Sequence, residues 1–319
     1  IKRVSTVISK HTMYDKRGNE KPASEHWIDD NWLLYGEAMF FKHEYFQALD
    51  AFEYVEATYK TEAGRFLASM WIAKTYLELT QLNEAEGKLD YLRNIREFPK
   101  KNKWELEAVT ADFYLQVKNF DKAAEHLQKA ANLVPDREKR IRYRFILAQL
   151  AQQKGEFDKA YLLYTKVIKM NPKYDMAFNA RLNRARCADS KSDKGETVRK
   201  ELERMQKDPK NKDFLDQIYF ALAGLAKNDG NEELREEYLN KSIRASTNNA
   251  NQKALSYLEL GKIAYAKPEY KIAQAYYDST ITSLSTDYPD YTEILNRRNS
   301  LTKLIKNLRT IELEDSLQR

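Results

Sequence analysis

The sequence predicts an all-α fold of the solenoid type, in which a helix-turn-helix unit repeats along the chain. Two observations lead to this prediction. Glycine and proline account for only 9 and 7 of the 319 residues, which favours long helices over a turn-rich β fold. A marker alanine also recurs at positions 48, 85, 123 and 160, so that its spacing is 37 or 38 residues. A spacing this regular indicates repeats that each contact only their neighbours.

Each predicted repeat pairs a first helix with a second helix, which we call helix A and helix B. In the segment 155–172, Ala160, Tyr164 and Val167 fall at i, i+4 and i+7 and therefore share one face of helix B. Pro172 ends that helix, because the residue before a proline disfavours the α conformation. Twelve residues before the marker position, helix A carries a small residue that lets helix B approach closely. The seven small residues are Gly36, Ala73, Ala111, Ala148, Ala185, Ala223 and Gly261.

The pattern divides the chain into three parts. Residues 1–28 contain the end of a helix and a polar loop, residues 29–287 contain seven repeats, and residues 288–319 contain a C-terminal helix. We expect this last helix to cap the seventh repeat through one apolar stripe, because the rest of its surface is charged. The stripe consists of Ile294, Leu301, Leu304, Ile305, Leu308 and Ile311.

Individual repeats resemble the tetratricopeptide repeat (TPR). The shared pattern is a small residue on helix A, an aromatic residue three positions later, the marker alanine, a larger residue four positions after it, and a proline near the end. The fifth and sixth repeats match poorly, because Val198 and Arg235 stand at or beside the marker position, and they are assigned from the phase of the repeat. The usual TPR period is about 34 residues, so we expect the extra residues to lengthen helices or connections. The third repeat matches at Ala111, Tyr114, Ala123, Leu127, Ala130 and Pro135.

The TPR resemblance implies a right-handed superhelix (α-solenoid) of about seven helix-turn-helix repeats that binds proteins or peptides. The sequence contains no competing catalytic pattern. Its four histidines are never at metal-ligand spacing, and it has neither a glycine-rich phosphate loop nor a nucleophile elbow. Cys187 is the only cysteine, which excludes an intrachain disulfide, and we expect it to be a small buried residue. We therefore predict no enzymatic activity, no cofactor and no metal.

The charges favour protein partners over nucleic acid. The net charge of +6 arises from 54 basic and 48 acidic residues that are spread along the chain, without the basic stripe of a nucleic-acid binder. No apolar run approaches the ~20 residues that span a bilayer, and no signal peptide is visible. Because the chain begins at Ile1, we expect it to be a fragment or a processed form.

Two groups of residues are candidates for partner binding, because helix A lines the inner groove in TPR folds. The segment 179–186 (NARLNRAR) is the most basic and amide-rich helix A, and such side chains can hydrogen-bond the carboxylates and backbone of a peptide. Salt bridges to acidic residues of adjacent helices are the alternative for these arginines. In the first repeat, we expect Phe40 or Phe41 to face the groove, and Trp32 and Tyr45 to be core residues. The predicted groove residues of the fourth and fifth repeats are Arg142, Phe145, Gln149, Gln152, Asn179, Leu182, Asn183, Arg186 and Asp189.

Three stretches are similar to a narrower group, the TPR lipoproteins SprE and PorW of the Bacteroidetes type IX secretion and gliding systems. They are EHWIDDNWLLYGEAMFFKHEYFQALDAFEYV with the preceding VISKHTMY, AFNARLNRARC, and the closing YDSTI…DYPDYTEILNRRNSL. The resemblance implies an outer-membrane lipoprotein that faces the periplasm and links the translocon to a ring of PorK/PorN-type proteins. The lipidated cysteine of that group lies near the N-terminus, so Cys187 is not the anchor. The membrane would be reached only through an N-terminal lipid anchor absent from this chain.

Two other classes of protein remain open. One is a cytoplasmic TPR adaptor or regulator that binds a chaperone tail or a signalling peptide. The other is a TPR segment attached to an enzyme whose catalytic domain lies elsewhere in a longer chain. The sequence upstream of this chain distinguishes the three classes. A signal peptide with a lipobox supports the secretion lipoprotein, a plain cytoplasmic start supports the adaptor, and a catalytic domain supports the segment attached to an enzyme.

Overall fold

The computed structural model describes residues 2–11, 13–14, 17, 20–21, 27–58, 62–188 and 193–318. These ranges are almost entirely helical, with one antiparallel pair of two-residue strands, Met13–Tyr14 (β1) and Glu20–Lys21 (β2). The chain divides into two compact units, which we call unit 1 (Ile1–Lys154) and unit 2 (Gly155–Arg319).

Unit 1 contains a leading helix, three A–B helix pairs and the first helix of the fourth repeat. Consecutive helices pack on one another from α2 to α8, and among the A helices α2 also contacts α4 and α4 contacts α6. The helices are α1 (Lys2–His11), α2 (Trp27–Phe41), α3 (Tyr45–Thr58), α4 (Glu62–Glu78), α5 (Leu82–Asn94), α6 (Lys103–Gln116), α7 (Phe120–Leu133) and α8 (Arg137–Gln153).

Unit 2 contains the second helix of the fourth repeat, three further pairs and the C-terminal helix. The helices are α9 (Phe157–Lys169), α10 (Tyr174–Arg186), α11 (Asp193–Lys207), α12 (Leu215–Asn228), α13 (Glu232–Ala245), α14 (Ala250–Ala266), α15 (Tyr270–Ser283) and α16 (Tyr291–Gln318). The predicted all-α helical-repeat fold is therefore confirmed, including helix pairs for the fifth and sixth repeats. The extra residues lie in 17-residue A helices such as α4 and α14, and in connections that contain short 3₁₀ segments.

The turns between helices A and B provide a second measure of the repeat. After α2, the amide of His43 donates to the carbonyl of Phe40 (2.9 Å) and the amide of Glu44 donates to that of Met39 (3.0 Å). These two bonds define a Schellman turn, whose penultimate residue takes a left-handed conformation. Residues in this left-handed conformation recur with the same spacing as the marker alanines. Only two of these left-handed residues are glycines. The left-handed residues of these turns are His43, Thr80, Lys118, Gly155 and Gly230, with φ of 63°, 58°, 57°, 75° and 76°.

The predicted close approach of helices A and B is confirmed at two glycines. A Cβ atom added at Gly36 would lie 2.4 Å from the ring of Phe52, which is fully buried beside Ala48. A Cβ atom at Gly261 would lie 3.1 Å from the ring of Tyr277. The small residue of helix A thus makes room for the aromatic side chain that helix B supplies.

The C-terminal helix covers the seventh repeat with its first half. Ile294 and Leu301 of α16 are buried in one cluster with Tyr277 of α15, and Ile305 is buried as well. Leu304 and Ile311, which we assigned to the same stripe, are exposed. The apolar contact of α16 is therefore shorter than its sequence pattern.

Candidate functional site

The A helices form one face in each unit. In unit 1, α2 contacts α4 and α4 contacts α6, and in unit 2, α10 contacts α12 and α12 contacts α14. We call the surfaces of these two helix sets the A-face of unit 1 and the A-face of unit 2. Side chains that three successive A helices bring together are the natural candidates for contact with a partner.

The aromatic group predicted on the A-face of unit 1 has one accessible member. Phe41 is 67% exposed, whereas Phe40 is 6% exposed and packs against Trp71. The expectation that Trp32 and Tyr45 are core residues is wrong, because both are only half-buried. Their polar atoms account for this, since a partly buried Trp or Tyr keeps its N–H or O–H near water.

A single ammonium group lies among carboxylates on the same A-face. The Nζ atom of Lys74 lies 4.1 Å from the ring centroid of Trp71 and 5.6 Å from that of Phe41. Burial lowers the pKa of Lys74, and the charges of four carboxylates oppose this shift. The carboxylates belong to Glu37, Glu78, Glu105 and Asp112.

Two of these carboxylates are held in an unfavourable environment. Burial, followed by the charge of Glu105, raises the pKa of Glu37. Burial, followed by the charge of Glu78, raises the pKa of Asp112. The charge of Lys74 opposes both shifts and that of Lys139 opposes the shift of Glu37, but both pKa values stay raised.

The predicted residues of the fourth repeat lie on α8 in unit 1. Arg142 and Gln149 are exposed, and Phe145 and Gln152 are half-buried. Arg142, Phe145 and Gln149 are three and four residues apart, so they share one face of the helix. Their role in partner binding stays a prediction.

In the fifth repeat, the salt-bridge alternative holds for two of the arginines. Nε of Arg181 donates to Glu201 of α11 at 2.9 Å, and Arg184 pairs with the same carboxylate. Arg184 is buried, so this pair ties α10 to α11. These two side chains serve the packing of unit 2.

The other predicted residues of α10 differ in accessibility. Leu182 is 3% exposed and packs in a core cluster with Phe178 and Val198, so its assignment to the groove is wrong. Asn179 is exposed and donates its amide to the carbonyl of Asp175 at 2.8 Å. Asn183 is half-buried. Asp189 lies outside the described residues.

Arg186 is the predicted residue that faces a cavity. The cavity has a volume of about 300 Å³ and opens on the A-face of unit 2. Nη1 of Arg186 reaches the side-chain oxygen of Asn183 at 3.3 Å, and Arg186 has no carboxylate partner in the described part of the chain. Arg186 is exposed, but protein groups near its guanidinium displace part of the surrounding water, which lowers its pKa. The principal lining residues are Arg186, Phe220, Gly224, Lys227, Arg235 and Glu259.

A charge network forms the far wall of this cavity. Arg235 is buried and pairs with Glu232 at 2.9 Å and with Glu259 at 2.6 Å. Lys262 lies 2.8 Å and Lys227 lies 3.7 Å from the Glu259 carboxylate. Burial raises the pKa of Glu259, but the hydrogen bond and charge of Lys262 and the charge of Lys227 outweigh it, so the pKa is lowered. Glu259 is therefore ionised and already shared among three cations.

Sequence reasoning found Arg186 but missed the rest of the cavity. Lys227 and Glu259 come from the A helices of later repeats, where they look like ordinary surface charges. Arg235 did give a signal, because it replaces the marker alanine of the sixth repeat. A long charged side chain at the position reserved for a small one indicates a local departure from the packing of the other repeats.

The described residues offer little for catalysis. Cys187 is buried as expected, and burial raises its pKa to about 11, so it is a poor nucleophile at neutral pH. Within the described ranges, no three His, Cys, Asp or Glu side chains are arranged to hold a metal ion. In the same ranges, no helix combines the length and apolar character needed to cross a bilayer.

Comparison with known proteins supports the repeat. The tetratricopeptide repeat profile matches residues 141–174, which lie in the predicted fourth repeat. No curated protein matches the sequence. Recognition by sequence is thus confined to one segment, and the wider assignment depends on the structure.

Solved structures share the fold across most of the chain. A tetratricopeptide repeat protein from Parabacteroides merdae has a TM-score of 0.57 at 14% identity, with 86% of this chain and 98% of that chain covered. The apo form of the quorum sensor NprR from B. thuringiensis has a TM-score of 0.55 at 12% identity, with 86% and 79% covered. A STAND protein with a tetratricopeptide repeat sensor from Pyrococcus horikoshii has a TM-score of 0.50 at 16% identity; the match covers 90% of this chain but 43% of that one. The chain therefore has the all-α fold of TPR proteins, which are typically non-catalytic interaction scaffolds.

Proposed function

We propose that the protein is a non-enzymatic scaffold that binds protein or peptide partners through its A-faces. The observation that carries this proposal is the accessible, chemically distinct surface on each set of A helices. Phe41 and Lys74 lie on the first, and the cavity beside Arg186 lies on the second. Such mixed aromatic and charged surfaces suit polypeptide recognition.

A role in type IX secretion is the finer proposal. It is supported by the three sequence stretches that resemble the SprE and PorW lipoproteins. In this role, the protein faces the periplasm, is held at the outer membrane by an N-terminal lipid anchor outside this chain, and connects the translocon to the PorK/PorN-type ring. Its partners are then other secretion and gliding subunits.

A cytoplasmic adaptor or regulator is the second candidate. The similarity in fold to a quorum sensor and to a protein with a TPR sensor domain is the observation in its favour. In this role, an A-face binds a peptide segment of a chaperone or signalling partner.

Photocrosslinking in the native organism tests the scaffold and its setting together. A photoreactive phenylalanine analogue at Phe41 or Asn179 samples the two A-faces, because both positions are exposed. The same analogue at Gln47 or Lys200, which are exposed on helices B, provides the control. We expect discrete adducts from the A-faces alone, and mass spectrometry should identify them as secretion subunits.

Other outcomes discriminate among the hypotheses. Adducts with cytoplasmic chaperones or signalling proteins would favour the adaptor. Equal labelling from helices A and B, or no adducts at all, would contradict binding through the A-faces.

A further inference from the structure

A second cavity of unit 2 lies between the end of α14 and the start of α16, and we call it the α14–α16 cavity. It has a volume of about 370 Å³, and Leu258 and Ile294 form its apolar part. A neighbouring cavity of about 540 Å³ shares Tyr265, Glu293 and Arg297 with it. Both volumes lie in the range of small-ligand sites.

The side chain of Tyr277 lines the α14–α16 cavity and lacks a hydrogen-bond partner. Tyr277 is only 3% exposed, and its hydroxyl has no hydrogen bond to the described part of the chain. The equivalent residue of the fourth repeat, Tyr164, is also buried, but its hydroxyl bonds to the side chain of Asn183. A buried hydroxyl without a partner costs free energy, which a hydrogen-bonding ligand would recover. Because burial raises the pKa of Tyr277, the hydroxyl keeps its proton at neutral pH and can both donate and accept.

The charged groups that line the cavity with Tyr277 have both signs. Lys262 and Arg297 offer only hydrogen-bond donors. Asp290 and Glu293 are exposed and offer only acceptors. Glu293 and Arg297 are 3.6 Å apart, beyond a normal hydrogen bond, so each keeps bonding capacity for a ligand. An anion in the cavity would meet the two carboxylates and a cation would meet the two basic groups, whereas a neutral ligand whose groups each donate and accept avoids both conflicts.

Aromatic rings complete the lining of the cavity. Tyr265 is exposed and Tyr288 is half-buried, and the Arg297 guanidinium lies 4.9 Å from the ring centroid of Tyr265. A tyrosine presents an apolar ring and a polar hydroxyl at one site. A sugar has matching features, because its hydroxyl groups donate and accept while its C–H groups form apolar faces. A single peptide side chain presents only one or two polar groups, so it would leave most of the lining unpaired.

We infer that the α14–α16 cavity binds a neutral sugar, which hydrogen-bonds to the Tyr277 hydroxyl and to the charged groups around it. The neighbouring cavity gives space for a second sugar ring beside Arg297. The α14–α16 cavity shares no lining residue with the cavity beside Arg186. Sugar binding is therefore a function additional to the proposed scaffold and does not depend on it.

Saturation-transfer difference NMR on the intact chain tests the inference. The panel is glucose, galactose, mannose and N-acetylglucosamine, with maltose, cellobiose and chitobiose as disaccharides. We expect saturation transfer to at least one of these neutral sugars. For the monosaccharide that binds best, the uronic acid and the 2-amino derivative are the charged controls. Because the lining opposes a charge of either sign, both derivatives should bind about tenfold more weakly than the neutral sugar.

Substitutions then place the sugar in the cavity. Tyr277→Phe keeps the ring but removes the hydroxyl, and it should weaken binding of the best sugar about tenfold in an NMR titration. Tyr164→Phe is the matched control and should bind like wild type, because the hydroxyl that it removes is already bonded within the protein. Asp290 is exposed and has a left-handed backbone (φ 65°) that asparagine tolerates, so Asp290→Asn should weaken binding severalfold. Circular dichroism confirms that each variant is folded.

Each contrary result has one meaning. No transfer to any sugar of the panel would overturn the inference. Tighter binding of a charged derivative would overturn the neutral ligand, and unchanged affinity of Tyr277→Phe would overturn the cavity as its site. Any of these results would leave the scaffold function standing, since its test uses crosslinks from Phe41 and Asn179, which lie outside this cavity.

Discussion

The two A-faces use one backbone arrangement to build opposite electrostatic environments. In unit 1, Lys74 is surrounded by four carboxylates, and two of these have raised pKa values. In unit 2, Glu259 is surrounded by three cations, and its pKa is lowered. The net charge of +6 hides this contrast. The overall charge therefore gives no indication of the local charge on successive A helices.

The largest effect is expected in the Glu259 network of unit 2. Glu259→Gln leaves the buried Arg235 with Glu232 alone and should lower the free energy of unfolding by about 1.5–3 kcal/mol. Glu237→Gln, which removes only an exposed pair with Lys241, should cost less than about 0.5 kcal/mol. Urea unfolding at neutral pH measures both changes.

The pH dependence sharpens this prediction. Because the pKa of Glu259 is lower in the folded protein than in the unfolded chain, its stabilisation is present above the unfolded pKa of about 4.3 and is lost as the pH falls through the folded value. The difference between wild type and Glu259→Gln should thus shrink in acid. A difference that is constant with pH would show that the network is not electrostatic.

Packing between helices A and B should respond differently in the two units. Gly36→Ala forces the Phe52 ring to move and should destabilise by about 1–3 kcal/mol. In Gly261→Ala the added Cβ atom lies farther from the neighbouring ring of Tyr277, so we expect a smaller loss of stability. Gly87→Ala, in a helix with nothing within 4 Å, should stabilise by about 0.5–1 kcal/mol. Melting temperatures that fail to rank the three in this order would contradict the assigned A–B contact.

The smallest change in stability is expected for Glu37→Gln in unit 1. This substitution should stabilise the protein, whereas Glu259→Gln should destabilise it. Glu37 has a raised pKa, so its ionised form destabilises the folded state at neutral pH. Glu37→Gln should therefore stabilise the protein by up to about 1 kcal/mol at pH 7, with the gain vanishing near pH 4. Glu86→Gln, an exposed carboxylate on α5, controls for the loss of charge. Destabilisation by Glu37→Gln would remove the contrast between the two A-faces.

The fold could be predicted because helix packing is local. A small residue, a marker alanine and an aromatic residue one turn later lie within one helix pair, so their spacing reports their contact directly. Gly36 and Phe52 show this, and so do Gly261 and Tyr277. The fifth and sixth repeats formed helix pairs although Val198 and Arg235 break the pattern, since amphipathic faces and neighbouring repeats were sufficient.

The candidate site was harder to predict because its charges meet across repeats. Arg186, Lys227 and Glu259 come from three successive repeats and become neighbours only when the A helices pack. The sequence also could not separate the arginines of α10. Arg184 is turned to Glu201 of the same repeat, whereas Arg186, two residues later, faces the cavity.

The repeated Schellman turn also determines where this chain can accept new sequence. Outside the fifth repeat, three residues join helices A and B and one of them is left-handed, so a longer turn there would misalign the pair. The connection from one repeat to the next varies instead: α5 ends at Asn94 and α6 begins at Lys103, whereas α7 ends at Leu133 and α8 begins at Arg137. Affinity tags, fluorescent domains or grafted loops therefore belong between repeats, and whole repeats are natural modules for exchange or duplication by an engineer.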